Sequence, residues 1–404
     1  MSWCEGPKIK RTFLYDKKIE FGWVLGFGFL FFLILICYLI NIKMLLNCSF
    51  LDKNFEIVEE GNLVTDERRG KISECNDGYV SDSEDFKNFL VIPSLINAHT
   101  HIGDSFAKDA VQNLNVKECC GKNGKKWKFY KNAEQREISD AMKDSCLQML
   151  DSGISTFVDF REFGIKGVEQ LKKVIKNIPL NAKILARDVQ IDDLDYVDGL
   201  GLNLYELKNF EIYEEIIKSA KRRKKIFAIH AGEAEGEIAE AFNLKILPDI
   251  IIHFLNPNEE QIKAAGRNKI TIVLCPGSNA ILKCGIPNLR QLTDAKINVC
   301  LGTDNVMLNS PDLWTEMEFA YKISSLLDFV EPKEILKAVT INPAKALNLN
   351  SGIIDKGKVA DIIFINKNGP NLKHSKNLIT SLVNRCKSSD VSKVMTGGKF
   401  VKDL

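Results

Sequence analysis

Histidine is scarce in this sequence. Only five occur in 404 residues, and two of them, His99 and His101, stand one residue apart after an apolar run. Eleven cysteines occur without a Cys-x-x-Cys pair, a pattern that predicts reduced thiols and argues against a disulfide framework. Neither sign of charge is in large excess, because the formal net charge is +2. A nucleic-acid-binding role is therefore not expected.

One long stretch contains no charged residue. Residues 21–40, FGWVLGFGFLFFLILICYLI, are long enough for a helix to span the ~30 Å core of a bilayer. Lysines and an arginine precede this stretch, so the positive-inside rule would place the rest of the chain outside the cell. The alternative is that translation begins at Met44 and that residues 1–43 are upstream read-through. Two predictions stay open: a cytoplasmic catalytic domain, or a single-pass membrane-anchored protein.

The remainder of the chain predicts an α/β fold. Eight short β-rich runs alternate with amphipathic helical segments over about 240 residues, the usual size of a (β/α)8 barrel. We therefore predict a TIM-type barrel at 91–350 and a small β-sandwich domain built from both chain ends, 44–90 and 351–404, after an N-terminal extension at 1–43. The predicted barrel strands are 89–99, 153–160, 182–189, 197–203, 224–233, 248–254, 269–279 and 296–305.

Four of the five histidines lie at the ends of these predicted strands, together with one aspartate. Residues two apart on a strand point to the same side, so His99 and His101 can reach one ion. His230 of the fifth strand and Asp304 of the eighth would complete a set of nitrogen and oxygen donors that suits Zn²⁺ or Fe²⁺. His253 ends the sixth strand. Each residue alone also has a structural interpretation, and their joint position at the catalytic end of a barrel favours a metal site.

Several motifs resemble those of the amidohydrolase superfamily, and they occur in the same order. They are PSLINAHTH (93–101), HAGE (230–233), CPGSN (275–279), GTDN (302–305), NPAKALNL (342–349) and GKVADIIFI (357–365). The resemblance covers nearly everything from Met44 to the C-terminus. It is closest to the branch of cytosine, adenosine and methylthioadenosine deaminases and triazine hydrolases.

The resemblance implies one divalent metal ion held by His99, His101, His230 and Asp304. Zn²⁺ is the favoured ion, and Fe²⁺ is the alternative. Glu233 of the HAGE motif would shuttle protons, His253 would orient the nucleophile, and Asp304 would also accept a proton. Binuclear members of the superfamily use a carboxylated lysine or an equivalent ligand near the fourth strand. The predicted strand 197–203 has neither lysine nor histidine. One metal ion is therefore implied, which favours deamination over the opening of a cyclic amide.

Substrate contacts are predicted at Asp104, Ser278, Asn279 and Asn305. The alternative for Asp104 is a loop cap, and the alternative for Ser278 and Asn279 is a turn that contacts no ligand. The basic and aromatic segment 119–137 is predicted to lie over the barrel mouth. There it would bind an anionic or aromatic ligand through Lys125, Trp127 or Lys128, or it would be a solvated loop.

The predicted function is a metal-dependent aminohydrolase that uses activated water to deaminate an aminated heterocycle of the purine, pyrimidine, nucleoside or pterin type. One alternative is hydrolysis of a cyclic amide, or of another C–N or C–Cl bond, at the same mononuclear site. The other alternative is a non-catalytic, membrane-anchored binding protein. The expected binding partner is a small heterocyclic substrate, and no nucleic acid is expected. A membrane is a partner only if residues 21–40 span one. A homo-oligomer is possible on this sequence and is left open.

Overall fold

The computed structural model describes residues 43–207 and 210–403. Its strands form two sheets, of seven and nine strands. Numbered along the chain, the strands are β1 (Lys43–Leu51), β2 (Ile57–Asp66), β3 (Lys71–Asp77), β4 (Glu84–Pro93), β5 (Leu95–His101), β6 (Ile154–Arg161), β7 (Asn181–Ala186), β8 (Gly199–Asn203), β9 (Ile226–Ala231), β10 (Ile250–His253), β11 (Thr271–Leu274), β12 (Val299–Leu301), β13 (Asp304–Asn305), β14 (Ile362–Asn366), β15 (Val391–Thr396) and β16 (Lys399–Asp403).

The seven-stranded sheet is built from both ends of the described chain. Its strand order is β16-β15-β14-β4-β1-β2-β3, and every neighbouring pair is antiparallel except β1 with β4. Aromatic side chains fill one face of this sheet, where the ring of Phe364 packs 5.2 Å from that of Phe86 and 5.4 Å from that of Phe400. The apolar cluster on this sheet draws its residues from both segments, 44–91 and 354–400.

The second sheet is parallel and has the order β12-β11-β10-β9-β8-β7-β6-β5-β13. Residues 299–305 act as one interrupted strand, because β12 pairs with β11 while β13 pairs with β5. The eighth strand therefore meets the first and closes a barrel. Gly302 lies at the interruption, where an added Cβ would approach the backbone nitrogen of His99 to 2.8 Å. Only glycine lets the two strands come this close.

Helices surround the barrel and follow most of its strands. They are Val116–Cys120, Lys125–Asn132, Gln135–Asp151, Gly164–Ile175, Leu204–Leu207, Phe210–Arg222, Glu237–Phe242, Glu259–Arg267, Pro276–Ile281, Leu289–Asp294, Leu313–Leu327, Pro332–Lys337, Ile341–Ala346 and Leu378–Asn384. Three 3₁₀ segments, Ile102–Ala107, Ile191–Tyr196 and Ser388–Asp390, complete the connections.

The barrel strands are apolar on both sides, as expected for parallel strands covered by helices. Every residue of β5 and β6 is buried. One apolar cluster fills the barrel interior and includes Val158, Phe160 and Val273. A larger cluster lies between the strands and the surrounding helices. All four histidines of the barrel are buried at the carboxyl ends of its strands, together with Asp304, and they form the site described below.

The predicted fold class is confirmed, and the eight predicted strands all correspond to observed strands. One boundary differs, because the predicted run 89–99 belongs to two strands. β4 ends at Pro93 in the smaller sheet, and β5 begins at Leu95 in the barrel. Proline lacks the N–H that would continue a ladder, which explains the break.

The candidate membrane helix at residues 21–40, with its alternative of upstream read-through before Met44, lies outside the described residues. Within the described ranges, no helix combines the length and the apolar character needed to cross a bilayer. The described cysteines are all free thiols.

Candidate metal centre

Four side chains converge at the carboxyl end of the barrel. His99 and His101 come from β5, His230 from β9 and Asp304 from β13. The Nε2 atom of His99 lies 3.1 Å from Asp304 Oδ1 and 3.2 Å from His230 Nε2, and the Nε2 atoms of His101 and His230 are 3.2 Å apart. One ligand atom from each residue lies within 4.8 Å of the others. These are the four residues predicted as metal ligands.

The donor set fits one divalent metal ion. A tetrahedral ion with ~2.0–2.1 Å bonds has ligand atoms roughly 3.3 Å apart, close to the separations of 3.1, 3.2 and 3.5 Å between neighbouring donors. Burial lowers the pKa of His99 to about 3 and that of His230 well below its usual range. Both imidazoles are therefore neutral near pH 7, the state in which histidine binds a metal.

The aspartate is held in its ionised form. Burial opposes ionisation of Asp304, but the hydrogen bond with His99 and the nearby imidazoles hold its pKa well below the usual range. Its second oxygen, Oδ2, accepts a hydrogen bond from Ser278 Oγ. Asp304 also has a φ of 58°, a left-handed conformation that is uncommon for a non-glycine residue. Backbone strain of this kind is concentrated at functional sites.

Glu233 and His253 lie together beside the four ligands. Glu233 Oε1 is 3.5 Å from His253 Nε2. The Nδ1 atom of His253 donates to Asn279 Oδ1 at 2.8 Å, which leaves Nε2 as the ring nitrogen with a free lone pair. Burial raises the pKa of Glu233 above its ordinary value. His253 has a φ of 77°, so it too is held in a left-handed conformation at a strand end.

The backbone around Glu233 is fixed by a residue that the sequence analysis missed. Glu237 Oε2 accepts the N–H groups of Gly232, Glu233 and Ala234 at 2.9, 2.9 and 3.1 Å. Gly232 has a φ of 108°, and a Cβ there would lie 2.6 Å from the Leu255 nitrogen. A carboxylate four residues after Glu233, at the first residue of the helix Glu237–Phe242, is the sequence signal that could have identified this contact.

A cavity of about 730 Å³ opens above these residues. His101, His230, Glu233, His253 and Asp304 line its floor. Two short helices, Val116–Cys120 and Lys125–Asn132, form one wall, and we call them the cover helices. The prediction that segment 119–137 lies over the mouth thus agrees with the structure. Of the three side chains named for it, Trp127 lines the cavity, whereas Lys125 and Lys128 are exposed.

The predicted substrate-contact residues are all buried near the cavity. Asn305 lines it, and Asn305 Nδ2 donates to Asp104 Oδ2 at 2.6 Å. Ser278 and Asn279 are engaged with Asp304 and His253, as described above, on the helix Pro276–Ile281. Asp104 Oδ1 accepts from Tyr130 at 2.7 Å, so both of its oxygens have protein partners. Direct contacts with a substrate at these four positions stay predictions.

Three further charged residues line the cavity without having been predicted. The buried Lys126 lies between Asp104 Oδ2, at 2.7 Å, and Glu162 Oε1, at 2.6 Å. Glu162 directly follows β6, at the same barrel end as the ligands, and this position was its sequence signal. Nothing in the sequence distinguishes Lys126 from its neighbours Lys125 and Lys128. Arg187, which follows β7, also lines the cavity and donates to the Gly201 carbonyl at 3.1 Å.

Known proteins are similar to this chain in sequence and in fold. The amidohydrolase family model matches residues 90–401. An uncharacterized protein of Methanocaldococcus jannaschii is 37% identical over 368 residues, which cover 84% of this chain and 93% of that protein. The 5-methylthioadenosine/S-adenosylhomocysteine deaminase of Pyrococcus furiosus is 26% identical, with coverages of 86% and 91%.

A solved structure shows the same fold. A zinc-bound adenosine deaminase from Xanthomonas campestris superposes with a TM-score of 0.72 at 15% identity, over 89% of this chain and 93% of that chain. Together with the sequence relatives, it confirms the predicted resemblance and the predicted class of hydrolases acting on carbon–nitrogen bonds. The chain belongs to the amidohydrolase family.

Proposed function

We propose that the protein is a mononuclear metal-dependent aminohydrolase that removes ammonia from an aminated heterocycle. The observation that carries the proposal is the joint placement of two groups of residues on one cavity floor. Four ligand atoms converge within 4.8 Å of one another, and the Glu233–His253 pair lies beside them. When bound, a divalent ion in this site supplies hydroxide near neutral pH, because it lowers the pKa of bound water to about 7. Zinc is the metal we favour, since the related adenosine deaminase of known structure contains it.

Glu233 is the proton carrier in this proposal. Loss of ammonia from an aromatic ring requires a protonated ring nitrogen, and burial raises the pKa of Glu233, which favours the protonated form that can donate. After donation, the same carboxylate takes the proton of the nucleophile and delivers it to the leaving amine. Glu237 holds the Glu233 backbone in place for both transfers.

His253 and Asp304 orient the nucleophile from the other side. The Asn279 hydrogen bond fixes the tautomer of His253, so its Nε2 atom can accept a hydrogen bond over the cavity floor. Asp304 is ionised and is held by Ser278, and it can accept the second proton of the nucleophile. The chain therefore supplies one acid and two hydrogen-bond acceptors around a single reacting carbon.

The name of one relative supports a nucleoside as the substrate. The deaminase of Pyrococcus furiosus acts, by its name, on the nucleosides 5-methylthioadenosine and S-adenosylhomocysteine. A cavity of about 730 Å³ has room for a nucleoside as well as for a free base. We therefore favour an aminated purine nucleoside over a pyrimidine or pterin. Hydrolysis of a cyclic amide is the alternative reaction at the same residues.

The test is ammonia release by the zinc-loaded full chain. The panel contains aminated purines, pyrimidines, nucleosides and pterins, with dihydropyrimidines as cyclic-amide probes. We expect stoichiometric ammonia from at least one aminated ring, and loss of that activity in Glu233→Gln. Ring opening without ammonia would instead favour the cyclic-amide reaction. If the folded, metal-loaded protein turned over no compound in either group, the proposed function would be rejected.

A further inference from the structure

We propose that Lys126 is a positioning residue for the metal centre and acts on His101 through Glu162. The inference rests on the metal site of the proposed function, but not on the identity of the substrate. It adds a function for the cover helices, because Lys126 comes from the helix Lys125–Asn132 and lines the cavity that this helix covers.

The first observation is the burial of the lysine. Only 4% of Lys126 is exposed, although its neighbours Lys125 and Lys128 are exposed to solvent. A buried ammonium group is costly unless it is paired and hydrogen-bonded. The amine of Lys126 meets two carboxylates, Asp104 Oδ2 and Glu162 Oε1, at 2.7 and 2.6 Å. These carboxylates outweigh the effect of burial and raise the pKa of Lys126, so it is charged.

The second observation is the position of Glu162. Its Oε1 atom, which accepts from Lys126, also lies 3.5 Å from His101 Nδ1. His101 points its other nitrogen, Nε2, at the metal ligands His230 and Asp304. A histidine that binds a metal through one nitrogen commonly donates its second N–H to a carboxylate, which fixes the orientation and basicity of the ring. The His101 Nδ1 atom has no hydrogen-bond partner among the described residues, and Glu162 is placed to become that partner.

The third observation is that Lys126 bridges two buried carboxylates, Asp104 and Glu162. Asp104 is fixed from three sides, by Lys126, by Tyr130 of the same helix and by Asn305 next to Asp304. Without the ammonium group, the buried carboxylates of Asp104 and Glu162 would face each other and repel. Glu162 would then turn away from His101. Lys126 thus connects the cover helices to the orientation of one ligand.

The consequence is a loss of metal affinity when this chain of contacts is broken. Loss of a partner that orients a metal ligand typically costs 10- to 100-fold in affinity. We expect Lys126→Met and Glu162→Gln each to raise the zinc dissociation constant of the full chain by that factor. The double variant should be no weaker than the weaker single variant, because both changes break the same chain of contacts.

The experiment is zinc titration in competition with a chelator, for the wild type and the three variants. Lys125→Met is the matched control, since it removes an exposed lysine from the same helix, and its zinc affinity should equal that of the wild type. Urea unfolding of the metal-free proteins is measured in parallel. A purely structural role would lower the unfolding free energy and leave the zinc affinity unchanged.

The outcomes separate this inference from the proposed function. If the wild type binds zinc and the folded Lys126→Met and Glu162→Gln variants bind it equally well, the inference is wrong while the metal centre stands. If Lys126→Met does not fold, Glu162→Gln decides the question, because it keeps the shape of the side chain. A wild-type protein without a saturable zinc site would overturn the metal centre itself.

Discussion

The two sides of the cavity are built in different ways. The floor is formed by the ends of parallel strands that carry the ligands. Ser278 hydrogen-bonds Asp304 there, and Asn279 hydrogen-bonds His253.

The opposite wall is formed by the cover helices, of five and eight residues. Their Lys126 and Tyr130 contact Asp104 and Glu162 beside the floor. We therefore expect the floor residues to act on the reaction and the wall residues to act on which molecule binds. Substitutions on the floor should lower metal content or turnover, whereas a substitution of a lining residue on the wall should raise KM.

The largest effect is expected from removal of a ligand on the floor. His230→Ala truncates a side chain that borders the cavity, so the space left behind opens to solvent and does not create a void in the core. We expect the variant to fold, to lose stoichiometric metal and to fall to background turnover. Elemental analysis and an ammonia assay on the same sample check both expectations. Retention of full turnover would show that His230 is not a ligand.

A smaller loss is expected when the proton carrier is changed but the ligands are kept. Glu233→Gln retains the shape of the side chain and removes its proton, so turnover should fall by about 10²- to 10⁴-fold while bound metal is unchanged. Glu235→Gln is the control, because it removes an exposed carboxylate two residues away. Equal turnover of the Glu233 variant and the wild type would remove Glu233 from the mechanism.

A wall substitution away from Lys126 should weaken substrate binding and leave the metal centre on the floor intact. Trp127 lines the cavity, and its indole N–H donates to the Gly121 carbonyl at 2.8 Å, which joins the two cover helices. We expect Trp127→Ala to raise KM by roughly tenfold, since an aromatic contact of ~1–2 kcal/mol is lost, and to leave metal content unchanged. Phe129→Ala is the control on the same helix, because Phe129 is partly exposed and is not a lining residue of the cavity. A fall in kcat at constant KM would contradict the division between floor and wall.

The smallest effect on turnover is expected at a residue behind the floor. Glu316 is buried, and its Oε2 atom accepts the Gly277 N–H at 3.2 Å, next to Ser278 and Asn279. Burial raises its pKa from 4.5 to about 7. The folded state therefore binds this proton more tightly than the unfolded state, and the stability it contributes is present below about pH 4.5 and lost as the pH rises to about 7.

Glu316→Gln should remove that dependence. Relative to the wild type, the free energy of unfolding of the variant should increase by up to roughly 3 kcal/mol between pH 4.5 and 7.5, because one pKa unit corresponds to about 1.4 kcal/mol. Urea unfolding of the metal-free proteins at several pH values measures the difference. Parallel curves for the two proteins would show that Glu316 does not titrate in this range.

The floor was predictable from the sequence, and so was the position of the wall over the barrel mouth, but the inward-pointing Lys126 was not. His99, His101, His230 and Asp304 are chemically distinctive and occupy strand ends, whose position in a parallel barrel is set by the period of the apolar pattern. Lys126 is one lysine among several in a basic segment, and only the packing of its helix turns it inward. The predicted strand at 89–99 was likewise correct in type but not in extent, because pairing partners assigned its two halves to different sheets.

Titration of zinc into the metal-free full chain tests the central claim most directly. The account predicts one saturable site per chain in the wild type and none of comparable affinity in His230→Ala. It also predicts that the occupied protein, and not the metal-free protein, releases ammonia from an aminated heterocycle. Two equivalent sites per chain, or equal binding by His230→Ala, would contradict a single centre built from the four strand-end ligands.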